Sequence, residues 1–264
     1  MKKVALTFAS LLLVAHAPFA LAQASCSSDG APQPVTVLER FINADCEACW
    51  GDVATPAPSA SSGTVVLDWI VPATTGDQAP LSAVATNDAL VRLAALGRKV
   101  PTTTDVYVTS VEPSAVATTT PAAAASAPAA PATAAGAGKL RVAHGLPFND
   151  YIGTAISWAP ARPTKAQGKS YPAPQGNLRY HLLLVESVPA GTEGTAVPRH
   201  IVRNLLEGPW APAELRSQTK ARPHWMEVRP MQIPEGAQAE RLRMVGWVSD
   251  AQGRTVAAAQ SVCR

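Results

Sequence analysis

The chain has 264 residues, of which 47% are hydrophobic and only 16% charged; that is enough apolar material to bury cores, and it excludes wholesale disorder. Of the 22 basic side chains, Lys2 and Lys3 fall in an N-terminal leader, so the rest balance the 19 acidic ones to within one charge. A surface so nearly neutral carries no electrostatic footprint for nucleic acid or anionic lipid.

Residues 1–24 read as a secretory signal peptide. Met1-Lys2-Lys3 is followed by an apolar run and by small residues at Ala22 and Ala24, which is the n-region, h-region and A-x-A order, with cleavage expected after Ala24. His16 and Pro18 break the apolar run and leave it short for a membrane span. Lipid attachment at Cys26 is disfavoured by Gln23, which stands where such signals prefer Leu. No other stretch is long and apolar enough to cross a bilayer, so the mature chain is expected to be periplasmic or secreted, without a membrane span. In an oxidising compartment the even count of cysteines, Cys26, Cys46, Cys49 and Cys263, implies two disulfides. Cys46 and Cys49 form a CxxC close enough to pair with each other. That leaves Cys26 to pair with Cys263 as a structural bridge between the two ends of the mature chain.

In the segment 25–112, PVTVLERFIN reads as a strand. It puts Val35, Val37, Glu39 and Phe41 on one face and Thr36, Leu38, Arg40 and Ile42 on the other. The CxxC follows at once. TVVLDWIV (64–71) is a nearly continuous apolar run rich in β-branched residues, as expected of a strand buried on both faces of a parallel sheet. NDALVRLAALG (87–97) predicts a helix with Asn87 as N-cap, a buried stripe of Leu90, Leu93, Ala94 and Leu96, and Gly97 as C-cap. DVYVTSV (105–111) alternates as another strand. Residues 113–138 contain 13 alanines and four prolines and read as an exposed linker. In the segment 139–264, YIGTAISWAP, LRYHLLLVESVP, WMEVRPMQI, LRMVGWVS and TVAAAQSVC are strand-like, and DAQG (250–253) reads as the hairpin turn joining the last two. Only HIVRNLLEG (200–208) looks helical. The predicted architecture is an α/β thioredoxin-like N-terminal domain followed by a mostly antiparallel β domain, a small sandwich.

A strand running straight into CxxC, in a βαβ order with a proline before a later strand, is the thioredoxin arrangement. There a helix N-terminus favours the thiolate that carries out disulfide exchange. The chain also resembles the exported bacterial thioredoxin-like family catalogued as domain of unknown function 1223. The matching residues are Val37-Leu38-Glu39-Arg40-Phe41 ahead of Cys46 and Cys49, the Trp strand LDWIVP, LAALGRKVP, the run Leu182 to Glu186, and His200-Ile201-Val202-Arg203. The resemblance implies a thioredoxin-like domain plus a β-rich domain and names no substrate. Val100-Pro101-Thr102 departs from the T-P-Q that the family tends to show, but V-P-T is what thioredoxins place opposite the motif as a cis-proline, leaving a backbone edge free for a substrate chain.

Other features weaken the redox reading. Pro56 and Pro58 limit the helix after the motif to a turn or two, and Asp45, Glu47 and Asp52 crowd the cysteines with negative charge. Glu39 is either a buried proton acceptor for the second cysteine or an acid paired with Arg40 or Lys99. Trp50 either shields the disulfide or serves as a core or interface tryptophan. His200 and Arg203, on one face of the expected helix, are candidates for ligand contact against a packing and salt-bridge role. No second CxxC or paired His accompanies the motif, and His144, His181, His200 and His224 are scattered, so no metal or other cofactor is expected. Hydrolase and nucleotide-binding fingerprints are absent. Two functions compete: thiol/disulfide exchange on an exported protein or thiol substrate, with Cys46 attacking, Cys49 resolving, and Glu39 and Pro101 assisting; and a non-catalytic module in which Cys46 and Cys49 form a staple. A buried Cys46 sulfur and a trans bond at Pro101 favour the staple.

Overall fold

The computed structural model describes residues 25–112, 138–160, 177–210 and 225–263. The expected leader and all but the last residue of the expected linker lie outside the described residues. In chain order the elements are β1 (Cys26–Ser27), β2 (Thr36–Asn43), α1 (Glu47–Gly51), β3 (Thr64–Val71), α2 (Asn87–Ala95), β4 (Thr104–Ser110), β5 (Gly138–Phe148), β6 (Tyr151–Pro160), β7 (Leu178–Val188), β8 (Arg199–Trp210), β9 (Trp225–Gln232), β10 (Leu242–Ser249), β11 (Thr255–Gln260) and β12 (Val262–Cys263).

These strands form two sheets, one in the order β12-β1-β5-β6-β9 and the other in the order β11-β10-β7-β8-β3-β2-β4. That arrangement corrects the expected fold class. The chain is mostly β, and the N-terminal segment is not an α/β thioredoxin-like domain: its helices are only five and nine residues long, and its strands β2, β3 and β4 continue a sheet begun by β11, β10, β7 and β8. The joint is β8, where the sequence predicts a helix. Residues 199–210 instead pair antiparallel with β7 along their length and meet β3 in parallel at Asp68 and Ile201. As a helix this run would leave the buried edges of β7 and β3 without hydrogen-bond partners, a cost that outweighs the local helical pattern of nine residues.

The other N-terminal elements lie close to where periodicity puts them. β3 is buried along nearly its whole length and runs parallel to β2. The cap of α2 falls one residue before the expected Asn87: Thr86 Oγ1 accepts the Ala89 N–H at 3.3 Å. Of the predicted stripe Leu93 is buried and Leu90 and Leu96 pack half-buried against the same core, whereas Ala94 is exposed and the buried face also takes in Ala89 and Arg92. The hairpin turn at 250–253 forms, with the Gly253 N–H donating to Asp250 O. β5 is a strand that the sequence reading missed.

The two sheets pack face to face over Leu140, Val142, Ile156 and Trp158 from one and Leu182, Leu184, Met244 and Val248 from the other. Gly246 permits this approach, because a Cβ there would stand 2.8 Å from Val142 Cγ1 and 3.0 Å from Ile156 Cδ1. On the far side of the seven-stranded sheet α2 covers Phe41, Leu67, Trp69, Val202 and Trp247. A third cluster, Ile42, Ala44, Trp50, Ile70, Val188 and Ile201, lies under α1. No helix among the described residues is long and apolar enough to cross a membrane.

Candidate functional site

The CxxC turn is built on Asn43, the last residue of β2. Its backbone N–H donates to Thr103 O, its side-chain Nδ2 donates to Pro101 O at 2.8 Å, and its Oδ1 accepts the Asp45 N–H at 2.9 Å. Asn43 O in turn accepts the Cys46 N–H at 2.9 Å. One amide side chain thus ties the proline loop to the start of the motif. Asp45 is held by the Thr75 hydroxyl. Cys46 and Cys49 are joined as a disulfide, with Cα atoms 5.3 Å apart. Both residues are half-buried, and Cys49 packs against the Ile42, Trp50 and Ile70 cluster.

The helix that follows is a single turn, Glu47–Gly51, too short to build a macrodipole of consequence at Cys46. What holds it is the C-terminal segment. Trp50, 4% exposed, donates its Nε1–H to Glu193 O at 2.6 Å. Arg199, at the start of β8 and 1% exposed, donates from Nη2 to Trp50 O at 3.1 Å and to Asp52 O, and from Nε to Thr195 Oγ1 at 3.1 Å. Its guanidinium also stands over the Trp50 ring, 5.7 Å from the centroid. Orphan carbonyls at the end of α1 therefore find a buried cation. Beneath them Arg40 Nε donates to Asp68 Oδ1 at 2.7 Å and Arg40 Nη1 to Thr55 Oγ1 at 2.6 Å, an ion pair almost fully out of solvent. Burial pushes the Asp68 carboxyl up against the pull of Arg40, and burial followed by the like charge of Arg40 pushes Arg199 down.

Of the predicted site residues, Pro101 lies beside the two cysteines, but Glu39, His200 and Arg203 do not gather at this turn. Glu39 is fully buried on the α2 face, with Val37 and Phe41, whereas α1 covers the opposite face of the sheet at Ile42 and Ile70. Its partners are Arg92, which donates from Nε at 2.8 Å and Nη2 at 2.6 Å, and Trp69 Nε1 at 3.1 Å; they are neither Arg40 nor Lys99. Pro101 lies beside the motif through Asn43, and because the described residues contain no cis peptide bond, its bond is trans.

His200 and Arg203 are strand residues, not neighbours on a helix. His200 is held neutral, its pKa pushed down to about 4 by burial and then by the charge of Arg243. Arg203 Nη2 donates to Glu235 O at 3.0 Å, and Arg203 Nε stands 3.6 Å from Glu186 Oε2. The residues that do seat the motif, Arg199, Glu193 and Thr195, carry no local signal. Arg199 adjoins the His200 to Arg203 motif, but its partners lie 149 and 147 residues away in the chain.

The second bridge joins Cys26 to Cys263, which lie opposite each other where β1 pairs with β12. His144, the β5 partner of Cys26, brings a ring nitrogen within 4.8 Å of both sulfurs. The thiolates that a metal would need from this trio are consumed in the bridge. The ring nitrogens instead face Gly145 O at 2.8 Å and Leu242 O at 3.2 Å. No family model matches the chain, and no curated protein matches it in sequence.

Proposed function

We propose that the chain is an exported, non-catalytic binding or scaffold module in which Cys46–Cys49 is a structural staple. The observation that carries this reading is the seat of α1. The turn holding the cysteines is clamped from outside by Arg199 on two of its carbonyls and by Trp50 on Glu193 O. A bridge across four residues then fixes the part of the N-terminal segment that docks on residues 193–199. An exchanging pair needs its attacking sulfur stabilised as thiolate. Here the charged side chains flanking the motif are the acids Asp45, Glu47 and Asp52, the helix is one turn, and Pro101 is trans. Export is supported by the leader pattern of residues 1–24 and by two bridges of the kind that persist in oxidising compartments. Kinship with the exported family named above rests on the short motifs that carry the resemblance.

Thiol/disulfide exchange through Cys46 has one observation in its favour: neither cysteine of the pair is sealed from solvent. Equilibration of the mature protein with glutathione buffers, followed by alkylation and peptide mapping, separates the two. The staple reading expects Cys46–Cys49 to remain oxidised, with a potential below about −300 mV. A potential between about −270 and −120 mV, with Cys46 alkylated before Cys49, would transfer the assignment to exchange.

A further inference from the structure

The Cys26–Cys263 bridge has a third residue beside it. β12, β1 and β5 are neighbours in one sheet, and Cys263, Cys26 and His144 stand directly opposite one another across them. Residues in one such row share a face of the sheet. Here the row is largely out of solvent: Cys26 is 5% and His144 4% exposed, and one ligand atom from each of the three residues lies within 4.8 Å of the other two. Positions on paired strands hold such a constellation more firmly than loops do.

The imidazole is oriented from outside the row. His144 Nδ1 lies 2.8 Å from Gly145 O, which also accepts the Ser25 hydroxyl at 2.8 Å, and His144 Nε2 lies 3.2 Å from Leu242 O. A neutral ring has one N–H to donate. With that proton on Nδ1, toward the nearer carbonyl, the Nε2 lone pair faces Leu242 O and no proton stands between the two acceptors. One ring nitrogen donating to a backbone carbonyl while the other keeps its lone pair is the state in which histidine ligates a metal. Leu242 O is also 4.0 Å from Cys263 Sγ, so this nitrogen and that sulfur converge on one oxygen.

We propose that Cys26, Cys263 and His144 bind one zinc ion when the two cysteines are thiols, so that β1 is clasped to β12 either by a metal or by a bond. Every chain is made with thiols, and with a sequence separation of 237 the bridge cannot form until Cys263 has been made. Two thiolates and an imidazole form a three-ligand zinc set with a fourth position for water. Two Zn–S bonds of about 2.3 Å set the sulfurs about 3.8 Å apart, a separation that rotation about χ1 supplies. The row does not depend on the bridge. β1 keeps its pairing with β5, and next to β12 the Ser261 N–H donates to Met244 O while Ser261 Oγ accepts the Met244 N–H, both at 2.8 Å. Metal binding releases the two thiol protons as the Zn–S bonds form. Oxidation by a small disulfide reverses it: the thiolates give up two electrons and join as Cys26–Cys263, the reagent's S–S bond breaks to two thiols with two protons from solvent, and Zn2+ leaves.

The test compares the mature chain in its disulfide-bonded form with the same chain reduced by a phosphine and kept free of oxygen. Competition with a zinc-binding dye should show tight zinc uptake by the reduced chain and none by the oxidised one. Because Cys46 and Cys49 are reduced as well, alkylation and peptide mapping locate the ion: zinc should slow modification of Cys26 and Cys263 about tenfold or more. His144→Ala should weaken zinc binding about 100-fold, and His144→Cys, which supplies a third thiolate, should restore it to within about tenfold of the parent. Co2+ in place of zinc reports the ligand set through thiolate-to-metal charge-transfer bands in the parent. Far-ultraviolet circular dichroism follows the fold; if reduction alone unfolds the chain, zinc should refold the parent and not His144→Ala. A reduced chain that takes up no zinc, zinc that protects Cys46 and Cys49 and leaves Cys26 and Cys263 reactive, or an affinity indifferent to His144→Ala would each overturn the proposal.

Discussion

The two disulfides show how differently the same bond acts at two places in one chain. Cys26–Cys263 has a sequence separation of 237, and it joins two-residue strands, β1 and β12, of which β1 also pairs with β5 and β12 is the edge of its sheet. Cys46–Cys49 has a separation of 3 and sits in a turn that already has a dense set of partners: Asn43 before it, Trp50 and Arg199 after it. Loop closure makes the first bridge the larger constraint on the unfolded chain, about 5 kcal/mol against about 2 kcal/mol for the second in the chain-entropy description. The first bridge therefore acts mainly on the unfolded state. The second acts with a native network that crosses from the N-terminal segment to the C-terminal one.

Removing each bridge in turn measures the difference between them. Replacing Cys26 and Cys263 by Ala should cost about 5 kcal/mol of unfolding free energy in urea, and replacing Cys46 and Cys49 about 2 kcal/mol. Equal losses would mean that loop length does not distinguish the two bridges.

A smaller effect sharpens the role of the native network. Arg199→Met withdraws the donors from Trp50 O and Asp52 O and removes the second cation near Asp68, at an expected cost of about 3–4 kcal/mol. In the background lacking Cys46 and Cys49 the same substitution should cost about 1 kcal/mol less, because bridge and clamp restrain one turn. Strict additivity in that double-mutant cycle would disconnect the bridge from its seat.

The smallest effect is a pH dependence. His200, next to Arg199 on β8, has its pKa pushed from 6.5 to about 4, first by burial and then by Arg243. The folded state then binds fewer protons than the unfolded chain between those values. The contribution is complete above pH 6.5 and is lost as the pH falls toward 4, about 2 kcal/mol after allowance for the partial exposure of the residue. Hydrogen exchange should accelerate on β8 in that window before it does on β5, beside the terminal bridge. His200→Leu should flatten the acid limb of the stability profile between pH 6.5 and 4, and an unchanged limb would show that another group sets it.

Elements whose signals are local are legible in the amino-acid order alone. Alternation in PVTVLERFIN and the β-branched run TVVLDWIV placed β2 and β3, the prolines at 56 and 58 limited the helix after the motif to a turn or two, and the spacing of four cysteines matched the two bridges. Where pairing partners lie far along the chain, the outcome depends on the assembled fold. Residues 199–210 satisfy a helical period as well as a strand period over so short a run, and the unpaired edges of β7 and β3 resolved that ambiguity in favour of a strand. The α/β architecture expected for the N-terminal segment gave way with it, because the same strand carries β2, β3 and β4 into the larger sheet. Glu39 met Arg92, 53 residues away, and Trp50 met Glu193, 143 away. Periodicity records which face a side chain takes, but the identity of the group it meets there depends on which distant segment is brought against that face, and local sequence carries no information about it.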